Sequence, residues 1–386
     1  MQPLAGIRVV ELGGDVAVSA AGKRFSDYGA DVVKVELPGG GAARRVDPFP
    51  DDRPHRDRGA FHLAFDTGKR SAVVDHRTAS GREVLARLAA TAELALIELP
   101  PDEVRPLLGL LGEERPSVVT ITPHGMTGSH APRRESDLTL FGWSTRTTRH
   151  TPEGGTPLRY GPFVATVQIG CTAAAAGMAA VWGARADGER RVVDISGVEA
   201  LMGNVDSGYP LWAISGTILA SGQVGSLRAS DGYLIFAGTG DAFWGRLCRA
   251  IGRPELEHDP RFATMGAREQ NGAELVELLR PWLDARTKLE VFRELQASRV
   301  PVAPVLDASE LLDDPQAVHR DSYVQVEQPG VGAHWLAAAP FRMEGPEPAW
   351  RIGPSPELGE HTDEVLEGIG YDADERQALA RAGVTG

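Results

Sequence analysis

The sequence predicts an α/β fold in which a Rossmann-like large domain accompanies a smaller α+β domain. Three observations carry that prediction. Short runs rich in Val, Ile and Leu alternate with helical stretches from residue 7 to residue 195. The first two of these runs flank a single helix, the pattern of a parallel βαβ unit. Beyond residue 225 the character changes to amphipathic helices with apolar residues at helical spacing.

Taken in order, residues 7–12 (IRVVEL) read as a short buried strand, 20–28 as a helix and 30–36 (ADVVKVE) as a second strand. The glycines Gly39, Gly40 and Gly41 follow as a loop. Further strands are expected at 71–75 (SAVVD), 94–98 (LALIE) and 117–122 (SVVTIT), with a helix over 81–90 ahead of LALIE. Residues 170–183 (GCTAAAAGMAAVWG) make a helix of small side chains, suited to close packing on a sheet or another helix. An RADGER turn and a strand over 191–195 come next, then a turn and strand over 230–237. Leu275, Leu278, Leu279 and Trp282 share one helix face, and Leu289, Phe292 and Leu295 share another. The Pro- and Gly-rich tail ends in a helix over 374–382.

A chain of 386 residues is too long for one simple core and most naturally makes two domains. The net charge of −13 argues against a sequence-independent nucleic-acid binder, which needs a basic surface. It does not exclude a phosphate-bearing ligand, because a local arginine cluster can supply the field. Cys171 and Cys248 stand in apolar surroundings without disulfide or metal-ligand spacing. The ten histidines show no paired-ligand spacing, so no metal is expected. The first residues run directly into a strand without a basic region and apolar signal core, and no long uninterrupted apolar run follows. A cytoplasmic protein without a membrane partner is expected.

Two basic loops are candidates for holding phosphate. Pro38–Arg45 (PGGGAARR) puts Arg44 and Arg45 beside glycine amides after a strand, and Lys69 and Arg70 precede the next strand. On pattern alone, each is as readily a solvated turn. The first βα turn carries Gly13-Gly14-Asp15 in place of GxGxxG, and no GxxxxGK[ST] is present. Arg146, Arg149 and His150 form a polar cluster that no structural motif explains. Loop residues of this kind, His124 included, are more often surface than catalyst. No GxSxG elbow is present, which removes an α/β-hydrolase reading.

The runs GIRVVELG…GADVVKVELPGGG, GKRSAVVD, LGLLGEERPSVVTITPHGMTG and RRVVDISGVEAL resemble family III CoA transferases, the group containing formyl-CoA and carnitine CoA transferases. The resemblance continues through DGYLIFAGTGDAFWGRLCRAIG, DPRFATMGAREQN, VPVAPVLDASELLDDPQAV and LGEHTDEVLEGIGY, in order over nearly the whole chain. It implies a large domain from residues 1–205 and 326–386, a linker and small domain over 206–325, and two interlocked chains. It also implies a coenzyme A thioester as substrate or ligand, with Arg44, Arg45, Lys69 and Arg70 toward its phosphate and adenine end.

The family's chemistry, by the same resemblance, uses one aspartate. Its carboxylate attacks the acyl-CoA to give a mixed anhydride, and the CoA thiolate then converts that to an aspartyl-CoA thioester. The aspartate lies in a segment G-x-x-V-A-D-x-x-x-G, which here reads GPFVATVQIG, so Thr166 takes its place. A hydroxyl needs a general base to attack, and its ester lacks an anhydride's activation. Between Asp137 and Asp187 the only carboxylate is Glu153, so no substitute is in register. Glu98-Leu99-Pro100 replaces the usual E-N-F-x-P-G, the closing loop SGQVGSL (residues 221–227) is short of glycines, and Ser136-Asp137 stands where related racemases carry His-Asp.

The leading expectation is therefore a partner subunit lacking the nucleophile, paired with a related chain that keeps it, with a homodimer as the alternative assembly. A repurposed enzyme using Arg146, Arg149 and His150, an acyl-CoA binding protein, and an ordinary transferase whose carboxylate comes from another loop are the alternatives.

Overall fold

The computed structural model describes residues 2–111, 116–149, 155–158, 160–203, 208–216, 226–237, 239–344 and 350–386. The chain divides into two units: the first contains residues 1–146, 159–209 and 318–386, the second residues 147–158 and 210–317.

The first unit is built on strands β1 (Arg8–Leu12), β2 (Asp31–Glu36), β3 (Arg70–Val73), β4 (Leu94–Ile97), β5 (Ser117–Thr122) and β6 (Val192–Ser196). They form one sheet in the order β3-β2-β1-β4-β5-β6, with every neighbouring pair parallel. The helices are α1 (Val16–Ser26), α2 (Ala60–Phe65), α3 (Ala79–Ala90), α4 (Pro101–Leu110), α5 (Asp137–Trp143), α6 (Arg146–Arg149), α7 (Val164–Asp187) and α8 (Gly197–Gly203). Because strand side chains alternate between faces, the Val- and Leu-rich runs feed two cores at once. Val9, Val32, Leu94, Leu96 and Val119 pack with α1, α5 and α7 on one face. Val10, Leu12, Val33, Val35, Ala95 and Ile97 pack with α3 and α4 on the other.

The helix α9 (Gly208–Ser215) lies where the first unit passes to the second. In the second unit, β7 (Ser226–Ala229), β8 (Gly232–Phe236) and β9 (Val302–Pro304) pair antiparallel in that order. Around them stand α10 (Asp241–Ala250), α11 (Met265–Gln270), α12 (Gly272–Asp284), α13 (Lys288–Ala297), α14 (Ala308–Leu312) and α15 (Pro315–His319). Their core contains Leu234, Trp244, Leu247, Phe262, Leu275, Leu279 and Leu295. The chain then returns to the first unit through the hairpin β10 (Tyr323–Gln328) and β11 (Gly332–Ala337), followed by α16 (Thr362–Gly368) and α17 (Ala373–Arg381). Val365 and Leu366 of α16 join the same core as α3 and α4.

Three local differences from the sequence reading have physical causes. α1 begins at Val16, because Asp15 takes the extended backbone of an N-cap and VAVSAA holds no breaker. On α13 Leu295 is buried and Phe292 packs against the core as expected, but Leu289 is 41 % exposed and Val291 is buried in its stead. α7 starts at Val164, ahead of its small-residue stretch, and ends at Gly188 with φ of 81°. By length and composition alone α7 is apolar enough to cross a membrane, yet it packs along α1 and the sheet. Gly170 permits that approach: a Cβ there would stand 2.5 Å from the Ala17 carbonyl oxygen.

Candidate functional site

The strand order turns the chain outward in both directions from β1 and β4, so the sheet's switch point lies between these neighbours. Parallel α/β sheets leave a crevice there, beyond the carboxyl ends of the strands. In this protein that crevice is a cavity of 510 Å³. Gly14 and Asp15 follow β1 into it, Glu98, Leu99 and Pro100 follow β4, and Pro123 follows β5. The 132–137 segment supplies Arg133, Arg134, Glu135 and Asp137, and the first two turns of α7 supply Thr166 and Ile169.

Thr166 is held by what precedes α7. Phe163, the helix N-cap, adopts a left-handed backbone (φ 64°, ψ 6°), an uncommon state for an aromatic residue and one that clusters at functional sites. This turn aims the first amides of α7 at α5. Ser136 caps α5 in a reciprocal capping box with Thr139, which fixes Asp137 in that helix's first turn. As a result, Thr166 N–H donates to Asp137 Oδ1 at 3.0 Å, and the Thr166 hydroxyl lies 3.1 Å from the same oxygen. The hydroxyl also lies 3.2 Å from the Phe163 carbonyl oxygen, and its single proton serves one acceptor at a time. Asp137 Oδ2 is buried and has no hydrogen-bond partner among the described residues.

This arrangement corrects one part of the sequence reading. A carboxylate does stand against Thr166: it is Asp137, a residue twenty-nine positions earlier that α5 brings back to α7.

Deeper in the cavity, Val18 N–H in the first turn of α1 donates to Glu98 Oε2 at 2.7 Å. Burial, and after it the neighbouring Asp15 carboxyl, push the Glu98 carboxyl up to about 8 against the pull of Val18 N–H and Lys34. Burial also raises Asp15, with Lys34 and Arg134 working in the opposite sense. Glu98 is therefore a carboxylic acid able to donate a hydrogen bond at neutral pH. At the rim, Glu135 Oε1 lies 2.9 Å from His124 Nε2 and accepts from Trp143 Nε1 at 3.0 Å, and hydrogen bonds from His124 first, then Thr139 and Trp143, hold its carboxyl below the usual range. Arg133 lies over the Trp143 ring at 5.3 Å.

The residues singled out from sequence fare differently. Arg44 is 1 % exposed and is consumed by Glu36 at 2.6 Å and Asp57 at 2.8 Å, so it cannot reach a phosphate. Lys69 has a fully buried side chain bonded to Glu11 at 2.6 Å and Asp66 at 2.8 Å, which removes it as well. Arg70 pairs with Asp31 and Glu364. Arg45 is exposed and donates to the Gly39 carbonyl oxygen at 2.8 Å. Arg146 is 6 % exposed, bonds Gln168 and the Leu201 carbonyl oxygen, and does not line the cavity. Arg149 lies in α6, whereas His150, Glu153 and most of the 221–227 loop fall outside the described residues. Sequence reasoning missed Asp15, Arg133, Arg134 and Glu135. The available signal was positional: polar residues shortly after β1 and β4, and Arg133-Arg134-Glu135 directly ahead of the capping Ser136.

Fold and cavity together define a doubly wound α/β protein with a carboxyl-lined cavity at the switch point of its sheet. The chain belongs to CoA-transferase family III, whose model matches residues 4–362. It is 29 % identical to a succinate–glutarate CoA-transferase of Agrobacterium fabrum, over 94 % of this chain and 95 % of that one. It is also 29 % identical to the BbsE subunit of succinyl-CoA:(R)-benzylsuccinate CoA-transferase of Thauera aromatica, over 99 % of this chain and 98 % of the relative. Among solved structures, a CaiB/BaiF family protein from Brucella suis superposes with a TM-score of 0.83 at 26 % identity, covering 95 % of this chain and 99 % of that one.

Proposed function

We propose that this chain binds a CoA thioester in the cavity at the ends of β1 and β4 and acts in CoA transfer between an acyl-CoA and a carboxylic acid. The observation that carries the reading is the placement of Thr166, the residue aligned with the family's working position by resemblance, in the wall of a cavity rich in carboxyl groups. A protonated Glu98 and the rim arginines Arg133 and Arg134 suit an anionic acceptor, since the acid can donate a hydrogen bond where a second carboxylate would repel. Relatives named for succinate, glutarate and benzylsuccinate support a dicarboxylic acid as acceptor and succinyl-CoA as donor. Arg45 is the one basic residue of the two loops that remains exposed without a carboxylate partner among the described residues, and it stands as the contact for the CoA phosphates. The test is isotope exchange: purified chain, succinyl-CoA and labelled glutarate, with label appearing in the thioester fraction if the reading holds. Absence of both exchange and thioester binding by the folded chain contradicts it.

A second reading is favoured by the likeness to BbsE, a subunit of a larger enzyme. In it, this chain is the non-nucleophilic partner of a related chain in an interlocked pair. Large apolar side chains left on the surface, Trp182 at 73 % and Ile214 at 88 % exposure, support an assembly of two chains, whether identical or related. Affinity purification from the native cell separates the cases: a stoichiometric relative supports the hetero-oligomer, and a homodimer that performs the exchange contradicts it. The burial of Arg146 leaves the repurposed-enzyme alternative without one of its three proposed groups.

A further inference from the structure

We infer that this chain also hydrolyses CoA thioesters, with the Thr166 hydroxyl as nucleophile and Asp137 as its general base. The inference goes beyond CoA transfer and shares with that reading only the binding of a thioester in the cavity. A hydroxyl becomes a nucleophile when a base stands within hydrogen-bond reach and a third group orients that base. Both are present here. The Thr166 hydroxyl lies 3.1 Å from Asp137 Oδ1, and Thr166 N–H donates to that same oxygen at 3.0 Å. The capping box of Ser136 and Thr139 sets Asp137 in the first turn of α5. The amide alone fastens α7 to Asp137, so the hydroxyl is not needed for that cap. Thr166 is half-buried, and it lines with Asp137 a cavity of 510 Å³, large enough for an acyl group and a water molecule. It is also the third residue of a helix of 24 residues, whose positive end favours the charge that an attacked carbonyl oxygen acquires.

The steps balance with water as the only co-reactant. Asp137 Oδ1 takes the hydroxyl proton as Thr166 Oγ1 adds to the thioester carbonyl carbon. The C–S bond breaks, CoA leaves as thiolate and receives that proton, and the acyl group remains on Thr166 as an ester. Asp137, again a carboxylate, takes a proton from water as the water oxygen adds to the ester carbon. The bond to Oγ1 breaks, Thr166 recovers its proton from Asp137, and the carboxylic acid departs and ionises. The ester decides the outcome. It lies below an anhydride in acyl-transfer potential, so a carboxylate does not draw the acyl group from it, whereas water does.

The test is release of free thiol from succinyl-CoA by the purified chain in heavy-oxygen water, with and without glutarate. The expected result is thiol release above the enzyme-free rate without glutarate, one heavy oxygen in each released succinate, and a succinylated Thr166 peptide in quenched samples. Exchange into glutarate with thiol release no faster than the enzyme-free rate overturns the inference and leaves CoA transfer standing. Hydrolysis without exchange sustains the inference and removes transfer. A folded chain that neither binds nor cleaves succinyl-CoA overturns both.

Two variants separate the chemistry from the fastening of α7. Thr166→Val keeps the amide and loses the hydroxyl, so thiol release falls on the order of a thousandfold or more, and Thr166→Ser restores it. Asp137→Asn keeps an acceptor for the Thr166 amide but not a base, and kcat falls on the order of a hundredfold or more. Calorimetric binding of succinyl-CoA is retained in both variants. Thiol release that persists in Thr166→Val overturns the assignment of the nucleophile, and an unchanged kcat in Asp137→Asn overturns that of the base.

Discussion

Glu11, Glu36, Asp57 and Asp66 on one hand, and Glu98 and Asp137 on the other, are acids of the first unit wired in opposite ways. In the closed group, Lys34 pairs with Glu11 at 2.7 Å and Asp66 at 3.2 Å, Lys69 with the same two acids, and Arg44 with Glu36 and Asp57. His62 Nδ1 lies 2.7 Å from Asp66 Oδ2, completing a network in which each acid meets a cation. Burial works against ionisation of Asp66, yet Lys34 and Lys69 overcome it and hold its carboxyl well below the usual range. In the cavity group, Glu98 moves the other way, up to about 8, and Asp137 keeps one oxygen without a partner among the described residues. Acids that meet cations become scaffold, whereas Glu98, which lacks a close cation, holds its proton instead. The basic loops that looked suited to phosphate supply cations to the first group, and a sequence does not display which of its own carboxylates will claim an arginine.

The sharpest way to break the contrast is to open the closed group. Lys69→Met leaves Glu11 and Asp66 sharing Lys34, and removing one partner of a buried pair costs about 3–5 kcal/mol. Chemical denaturation of the variant measures this. A change within about 0.5 kcal/mol, the range of an exposed site, contradicts the structural role given to Lys69.

A change of intermediate size sharpens the cavity side. The fold raises the carboxyl of Glu98 above its ordinary 4.5, so it binds a proton that the unfolded chain has released. The stability this contributes is complete below 4.5 and is lost as pH rises toward about 8. Glu98→Gln, which mimics the neutral acid and preserves an acceptor for Val18 N–H, should remove that loss, amounting to a few kcal/mol at about 1.4 kcal/mol for each tenfold gain in proton affinity on folding. Stability measured between pH 5 and pH 8.5 should fall for the native chain and stay flatter for the variant. Parallel curves contradict a protonated Glu98. The smallest effect concerns the rim: Arg133→Ala with Arg134→Ala should leave stability within about 0.5 kcal/mol, as exposed substitutions do. In isotope exchange the same change should raise KM for the dicarboxylate, and an unaltered KM removes these arginines from acceptor binding.

The parallel sheet was legible because its strands are short Val- and Ile-rich runs buried on both faces, a pattern hard to mistake between helices. The start of α7 was not, since Gly161-Pro162 reads as a loop and nothing in Phe163 announces a left-handed turn. The site was legible only by residue type. Glu98 and Asp15 are separated by three strands and three α-helices in the chain, and only the strand order makes them neighbours. Likewise, the search for a carboxylate near Thr166 along the sequence passed over Asp137, because the contact is made by α5 folding back onto α7. Leu289 shows the same limit at smaller scale: an apolar residue at a plausible spacing lies one step from the buried stripe.

Hydrogen–deuterium exchange with and without succinyl-CoA tests the central claim, that the cavity at the ends of β1 and β4 is the working site. The account predicts slowed exchange in the first turn of α1, in the 132–140 segment and in the first turn of α7 around Thr166. Unchanged exchange in all three, with protection appearing elsewhere in the bound chain, would contradict it.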